Sequence, residues 1–127
     1  EAFAVLKTHS ILGRMMTDEI SDTSAFEEGV RRSGDAKGLL HHLFGVRARG
    51  LFGEISERGS ASYLSGILVG HEIRAARRAA QTVQLLGSTE LAVTYARAFK
   101  VLDIPCSILG ATAAAAGLFR LAKHRGA

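Results

Sequence analysis

The chain has 127 residues, enough for one domain, and 47% of them are hydrophobic, so it can bury a core. Its net charge is +4 and its pI is about 9.7, but aromatic residues make up only 6% of the chain and the cations are scattered. Nucleic-acid binders combine clustered cations with interleaved aromatic rings, so that class is not favoured. A modest positive charge also suits an enzyme with phosphorylated or carboxylate ligands.

Cysteine content and apolar run length limit the setting of this protein. Cys106 is the single cysteine, which excludes an internal disulfide and favours a reduced, cytoplasmic setting. The longest nearly apolar run, 108–119, is too short to span a bilayer, and no signal-peptide pattern opens the chain. Because a helical pattern is already in phase at Glu1, we expect a piece of a longer protein.

Helical periodicity dominates roughly the first 80 residues, beginning with a helix predicted over about 2–16. Its apolar stripe runs through Val5, His9, Leu12 and Met16. His9 lies on this stripe, so we expect it to be packed rather than catalytic.

The second helix is predicted to begin at a capping box formed by Ser24 and Glu27. Its inward-facing residues are Phe26 and Val30, and Gly34 is expected to end it. This pattern describes an ordinary amphipathic helix on the surface of a core.

The third helix is predicted to begin at Asp35, which would serve as its N-cap. Its apolar residues would be Leu39, Leu40, Leu43, Phe44 and Val46. His41 and His42 lie between them. Since adjacent histidines do not share a helix face, they are poor joint metal ligands.

A bend at 50–53 follows, where glycines flank Leu51 and Phe52. We expect this apolar pair to insert into a core. Arg47 and Arg49 precede the bend, and an arginine there could bind a substrate carboxylate through two parallel hydrogen bonds. A solvated or ion-paired arginine is the common alternative.

The fourth helix is predicted over about 63–79, with Ser60 or Ser62 as its cap. Gly66 and Gly70 lie four residues apart, which leaves a smooth groove for another backbone or for a flat ligand ring. Because mid-helix glycine costs about 0.5–1 kcal/mol relative to alanine, a close approach is the expected reason for both.

Single positions exclude several catalytic motifs. His71 and Glu72 begin a zinc-protease pattern, but Ala75 stands where its second histidine is needed. The glycine turn after 83–86 lacks the lysine of a Walker A loop. No pair of carboxylates and no Cys/His cluster has metal-ligand spacing, so no metal site is expected in this chain.

The closing part of the chain, 82–122, repeats the order strand, glycine turn, helix. The strands are predicted over 83–86 and 106–109, and Pro105 stops the helix between them. Two parallel strands joined by a helix form a right-handed crossover. Ligands of such units bind at the carboxyl ends of the strands.

The first of these turns is the candidate binding element. Gly87 would let the backbone approach a ligand closely, and Ser88 or Thr89 can cap the next helix, whose N–H groups face a polar ligand. An ordinary strand-to-helix turn with a hydroxyl cap explains the same residues.

Short stretches along the chain resemble the C-terminal part of the 2-dehydro-3-deoxygalactonokinases, a family of sugar-acid kinases in the actin/hexokinase-like ATPase superfamily. These stretches are THSILG at 8–13, FxxGV at 26–30, LFxVRA at 43–48, YLSGILVGxE at 63–72 and the region 85–122. They occur in family order across nearly the whole chain. The last region alone would support only the superfamily.

The resemblance implies ATP-dependent phosphorylation of the 6-hydroxyl of 2-dehydro-3-deoxy-D-galactonate, with Mg²⁺ accompanying ATP. It also implies an α/β fold, the helix-rich part of the second domain of an actin-like, ribonuclease H-like ATPase. The chain would be one domain portion, helical over 1–80 and with strand–turn–helix repeats over 81–126. The N-terminal ATPase domain would lie outside it.

The resemblance assigns two sets of site residues. Those for the nucleotide are Gly87, Ser88 and Thr89 in the adenosine turn and Gly66, Gly70 and Glu72 on the other wall of the adenine pocket. Arg47 and Ser10 are the candidates for the sugar acid. The phosphate loops and the catalytic carboxylate are expected upstream, so this chain alone should be inactive.

Two alternatives stay open. One is another sugar or sugar-acid kinase of the same superfamily, and the other is a helical interaction module whose basic face binds an acidic partner. The kinase interpretation predicts a nucleotide, a sugar acid and the N-terminal part of the same protein as partners, without nucleic acid or membrane. An unpaired sheet edge could also pair two copies as a homodimer.

Overall fold

The computed structural model describes residues 1–16, 21–76, 82–110 and 113–124. The chain divides into two compact units, Glu1–Ala79 (unit 1) and Ala80–Ala127 (unit 2). Within the described residues, unit 1 is helical, whereas unit 2 combines two helices with a sheet of two short parallel strands. The protein is therefore a helix-rich α/β protein with a small parallel sheet.

Unit 1 is built around one central helix. Its elements are α1 (Ala2–His9), a 3₁₀ turn (Gly13–Met15), α2 (Thr23–Arg32), α3 (Gly38–Leu51) and α4 (Glu57–Ala76). The first three helices all contact α4. From Gly59 to Ile67 every residue of α4 is buried. A helix enclosed on all sides lacks a polar face, which explains why its sequence shows little amphipathic periodicity.

The core of unit 1 joins residues of α2, α3 and α4 with Leu12 from the segment after α1. Its buried side chains are Leu12, Ala25, Val46, Tyr63, Leu64 and Ile67. Phe3 and Leu6 of α1 pack against this cluster from outside. Each large apolar side chain that is fully buried stabilises the fold by about 1.5–3 kcal/mol.

Glycines bring α2 and α4 into backbone contact. A Cβ at Gly66 would lie 2.1 Å from the carbonyl oxygen of Phe26, and a Cβ at Gly29 would lie 2.3 Å from that of Tyr63. Neither position has room for a side chain. The close approach predicted at Gly66 is thus confirmed, and the backbone of α2 makes it. Phe26 and Val30 face inward as predicted.

The first helix is shorter than predicted, because α1 ends at His9 and the chain then turns before the 3₁₀ segment. Val5 is 56% exposed and His9 is exposed as well, while Phe3 and Leu6 face the core. The predicted apolar stripe is therefore wrong at Val5 and His9. Leu12 is buried as expected, but it lies beyond the end of α1.

The predicted N-caps of α2 and α3 are wrong. Asp22 caps α2, since its Oδ1 accepts a hydrogen bond of 2.9 Å from the N–H of Ala25, and Ser24 lies inside the helix. Asp35 does not cap α3, which begins three residues later, and it forms an ion pair of 3.0 Å with Arg32 instead. Both regions contain several polar residues that can act as an N-cap, and the local sequence does not show which of them does so.

The predicted start of α4 is also wrong. The helix begins at Glu57, and the Ser56 Oγ accepts a hydrogen bond of 3.0 Å from the N–H of Gly59. Ser60 and Ser62 lie inside the helix and are buried. Ser62 Oγ accepts a hydrogen bond from the N–H of residue 22, which ties the start of α2 to α4.

The exposed face of α3 differs from the prediction. Leu40, Phe44 and Phe52 are 82%, 70% and 81% exposed, and Leu51 is exposed too. The expected insertion of Leu51 and Phe52 into a core is therefore wrong. The bend itself is present, with Gly53 at φ 70. Val46 and His42 are buried on the opposite face of α3.

Unit 2 follows the predicted order of elements. They are β1 (Val83–Leu85), α5 (Thr89–Val101), β2 (Cys106–Ile108) and α6 (Ala113–His124). The strands pair in parallel, with Val83 opposite Cys106 and Leu85 opposite Ile108. The N–H of Leu109 extends the ladder by donating to the Leu85 carbonyl. The predicted strand–turn–helix order is confirmed.

The end of α5 shows why the chain turns back into a strand. Asp103 adopts a left-handed conformation at φ 55, and its N–H donates to the Lys100 carbonyl. The N–H of Ile104 donates to the Phe99 carbonyl, and both of these apolar side chains are buried. This is a Schellman motif, in which the left-handed residue is usually glycine.

Candidate functional site

The turn after β1 carries the predicted adenosine residues. Gly87, Ser88 and Thr89 are all exposed, and α5 begins at Thr89. Ser88 is the N-cap, and its Oγ accepts a long hydrogen bond of 3.4 Å from the N–H of Leu91. The first N–H groups of α5 therefore lie at an exposed helix start beyond the carboxyl end of a parallel strand.

Gly87 has space around its α-carbon. A Cβ there would meet only Leu91 Cδ2, at 3.8 Å, and the residue does not adopt a left-handed conformation. Neither packing among the described residues nor backbone strain requires glycine at this position. An approach by a group from outside would explain it.

The electrostatics of this turn favour a neutral ligand group. The positive end of the α5 dipole lies here, and Glu90 in the first turn of the helix already supplies a negative charge to it. A strongly negative group such as a triphosphate would be repelled by the Glu90 carboxylate. A sugar or a base can use the N–H groups without that repulsion.

The second predicted set lies on α4 in unit 1. The α-carbons of Gly66 and Gly70 are both buried, and a Cβ at Gly70 would lie 2.2 Å from Ser33 Oγ. Helix packing thus accounts for both glycines. Glu72 is exposed on the same helix. Their assignment to the adenine wall stays a prediction.

The two predicted sugar-acid residues lie on different elements of unit 1. Ser10 follows α1, where its Oγ donates to the Leu6 carbonyl at 2.5 Å and accepts from the N–H of Leu12 at 3.1 Å. Its hydroxyl is therefore used to shape the end of the helix. Arg47 is half-buried on α3. The role of both in substrate binding stays a prediction.

Arg49, rather than Arg47, is the centre of an ion-pair network that was not predicted from the sequence. Its Nη1 donates to Glu28 Oε1 at 2.6 Å and its Nε donates to Glu54 Oε2 at 3.1 Å. The guanidinium also lies 4.9 Å from the centre of the Tyr63 ring. Burial alone would lower the pKa of Arg49, but hydrogen bonding to Glu28, Tyr63 and Glu54 raises it above the ordinary value.

A local sequence signal could have identified part of this network. The N–H of Glu54 donates to the Arg49 carbonyl at 2.8 Å, and Gly53 adopts the left-handed conformation between them. In this Schellman motif the residues five apart become neighbours. An arginine followed five residues later by glutamate, with glycine just before it, therefore predicts the ion pair. The bond to Glu28 depends on the packing of α2 and has no such signal.

A histidine pair links α3 and α4. His42 Nδ1 lies 2.8 Å from His71 Nε2, so one of the two rings donates to the other. Burial lowers the pKa of His42, and the nearby His71 lowers it further, while Asp35 acts in the opposite direction. Burial and then Arg74 lower the pKa of His71. Sequence spacing relates His42 only to neighbours on its own helix, so the partner 29 residues away was not predicted.

Two negative findings apply to the described residues. Among them, no group of three or more histidine, cysteine, aspartate or glutamate residues is arranged to hold a metal ion. No described helix combines the length and the apolar character that crossing a membrane requires.

Comparisons with known proteins agree with the sequence resemblance. The profile of the 2-keto-3-deoxy-galactonokinase family matches residues 1–121. The 2-dehydro-3-deoxygalactonokinase of Escherichia coli (strain K12) is 28% identical over 126 residues, which are 96% of this chain and 43% of that protein.

A solved structure supports the same conclusion. It is the crystal structure of a Sinorhizobium meliloti protein whose assignment as a 2-dehydro-3-deoxygalactonokinase is provisional. It matches 87% of this chain with a TM-score of 0.75 and 26% identity. This chain spans less than half of both relatives, 43% of one and 39% of the other. Because the family profile matches nearly its full length, the chain belongs to the 2-keto-3-deoxy-galactonokinase family.

Proposed function

We propose that the whole protein phosphorylates 2-dehydro-3-deoxy-D-galactonate at O6 with ATP, and that this chain supplies the adenosine side of an actin-like cleft. Membership of the 2-keto-3-deoxy-galactonokinase family supports the reaction class. One structural observation carries the placement of the nucleoside. Gly87 lies beyond the end of a parallel strand with open space at its α-carbon.

The residues of the turn would bind the nucleoside by shape and by main-chain polarity. Without a Cβ at Gly87, a flat ring or a ribose can lie directly against the backbone. The N–H groups at the start of α5 would donate to it, and Ser88 holds that helix start in place. The phosphates would point away from Glu90, toward parts of the protein outside this chain.

Catalysis itself needs groups beyond those described. Phosphoryl transfer requires a phosphate cradle, Mg²⁺ and a positioned base together. The described residues form no cluster for a metal ion, so Mg²⁺ would be held mainly by the nucleotide and by residues upstream of this chain. We therefore propose that this chain alone is inactive and that the rest of the protein completes the site.

Gly87→Val tests the nucleoside site. We expect the affinity of the whole protein for ADP, measured by isothermal titration calorimetry, to fall by at least about tenfold, because the branched side chain would occupy the space of the ring. The matched control is Gly117→Val in α6 of the same unit, where a Cβ meets nothing within 4 Å. Unchanged ADP affinity in Gly87→Val would contradict the proposed site.

The substrate is tested separately by kinase activity. The whole protein should give a higher kcat/KM with 2-dehydro-3-deoxy-D-galactonate than with other sugar acids of the same length. Higher activity with a different sugar acid would leave the nucleoside site intact but replace the acceptor. An absence of phosphorylation with every sugar acid would contradict the kinase assignment.

A further inference from the structure

Unit 1 contains an open cavity of about 390 Å³ among α2, α3, α4 and the bend after α3. Four charged side chains line it, Glu28 and Arg32 from α2 and Arg49 and Glu54 from α3 and the bend. The buried residues His42 and Tyr63 also line it. Its volume lies in the range of small-molecule sites.

One residue of the cavity wall is a glycine that the fold does not need. Gly45 lies on α3 in the cavity wall, and a Cβ there would meet nothing within 4 Å. Its backbone is not left-handed. Glycine inside a helix is less stable than alanine, so an unforced glycine at this place indicates that the empty space itself is useful.

His42 forms a buried part of the cavity wall. The residue is 3% exposed and lines the cavity, and within the described structure its Nε2 has no hydrogen-bond partner. Its other ring nitrogen is already bonded to His71. Because Nε2 is itself shielded from solvent, it gives no donor or acceptor to a ligand in the cavity and remains an unpaired buried atom among the described residues.

The charges in the wall define the ligand chemistry. The two carboxylates, Glu28 and Glu54, balance the two guanidinium groups, and the bonds to Arg49 use one oxygen of each carboxylate. A polyphosphate would meet these carboxylates unfavourably. Hydroxyl groups can donate to a carboxylate oxygen and accept from a guanidinium N–H, so a hydroxyl-rich ligand fits both.

We propose that this cavity binds the sugar acid that the protein phosphorylates, an inference that rests on the proposed function. The hydroxyl groups lie between Glu28, Glu54 and the Arg49 guanidinium, which the ion pairs hold in a fixed orientation. The ligand carboxylate binds Arg32, which is half exposed and has a single acidic neighbour, Asp35, in contact. Arg32 thus takes the carboxylate-binding role predicted for Arg47, and Arg49 binds hydroxyl groups.

Filling the cavity from Gly45 tests the proposal. In the whole protein, Gly45→Leu should raise the Kd for 2-dehydro-3-deoxy-D-galactonate by at least about tenfold in calorimetry, because its side chain takes the space of the ligand. The Kd for ADP should not change. Gly117→Leu, at an exposed position in unit 2, is the matched control and should bind the sugar acid normally.

Folding is checked in the same samples. Since a Cβ at Gly45 meets nothing within 4 Å, neither Gly45→Ala nor Gly45→Leu should lower the melting temperature. If Gly45→Leu did unfold, the smaller substitution Gly45→Ala and the substitution Glu54→Gln would be measured in its place. Each should weaken sugar-acid binding without changing ADP binding.

The outcomes separate this proposal from the kinase assignment. Normal sugar-acid affinity in a folded Gly45→Leu protein overturns the cavity as the site, even if the protein is an active kinase. Loss of that affinity supports the cavity even if no phosphorylation is detected. A wild-type protein that binds no sugar acid at all overturns it as well.

Discussion

In unit 1 a Cβ at Gly66 would come within 2.1 Å of the Phe26 carbonyl oxygen, whereas in unit 2 a Cβ at Gly87 would meet only a leucine methyl group at 3.8 Å. Both glycines looked alike in the sequence, as positions where something approaches the backbone closely. In unit 1 the approaching group is another helix of the same chain. In unit 2 the described residues provide none.

The difference teaches how to interpret a glycine once a structure is known. A glycine whose Cβ would strike backbone is explained by the fold, and its substitution should change stability. A glycine with free space and an ordinary backbone conformation is not required by the fold, so its substitution should change binding where a ligand occupies that space and should leave binding unchanged elsewhere. Gly45 and Gly87 belong to the second kind, and Gly29 and Gly66 belong to the first.

The largest effect on stability is expected at Gly66. Gly66→Ala places a methyl group against the Phe26 carbonyl, and α2 and α4 must separate to accept it, so we expect a loss of about 3 kcal/mol in unfolding free energy. Urea denaturation followed by circular dichroism measures it. Gly117→Ala is the control and should gain about 0.5–1 kcal/mol from helix propensity. Equal effects at the two sites would invalidate the comparison.

An intermediate effect is expected from the histidine pair of unit 1. Because the pKa values of His42 and His71 are lowered in the folded state, the unfolded chain takes up protons more readily once pH falls below 6.5. Stability should therefore fall as pH decreases below 6.5 and level off above it. If both rings were protonated, the hydrogen bond between them would also break, because it needs a nitrogen lone pair as its acceptor.

The charges around this pair do not reverse that sign. Asp35 favours protonation of His42, but burial and His71 outweigh it, and Arg32, His41 and Arg74 act in the same direction as burial. The double variant His42→Leu/His71→Leu should show a flatter pH dependence in urea denaturation between pH 5 and about 7. A wild-type protein equally stable across this range would contradict the argument.

The smallest effect compares the two Schellman motifs. Gly53 ends α3 in unit 1 and Asp103 ends α5 in unit 2, both in the left-handed conformation. Asp103→Gly should stabilise the protein by about 0.5–1 kcal/mol, because glycine has no Cβ to strain this conformation. Gly53→Asp should destabilise it by a similar amount. Both are measured as shifts in the urea midpoint, and a loss of stability in Asp103→Gly would refute the explanation.

Sequence patterns predicted unit 2 better than unit 1. In unit 2 the strands, the serine cap and the helix end near Pro105 all follow from residues a few positions apart, and each was confirmed. In unit 1 the helices were found, but their caps were not. Several serine and aspartate residues can cap each helix, and only the packing of α2 against α4 selects Asp22.

The residues of the candidate site also differ in how far they could be predicted from the sequence. Gly87 and Ser88 follow a strand directly, so their place at its carboxyl end could be derived from the chain order. The network of Arg49 with Glu28 and the bond between His42 and His71 join residues 21 and 29 positions apart. No periodicity connects such residues, because their contact depends on how neighbouring helices pack.

By itself, the sequence determined the family, the order of the elements and the turns where glycine and proline leave the backbone few choices. Only the tertiary structure decided which glycines are enclosed, which polar residues cap helices and where Arg49 finds its carboxylates. The physical reason is range. Turns and helix ends are governed by sterics and hydrogen bonds within about five residues, whereas burial and ion pairing depend on which distant helix lies alongside.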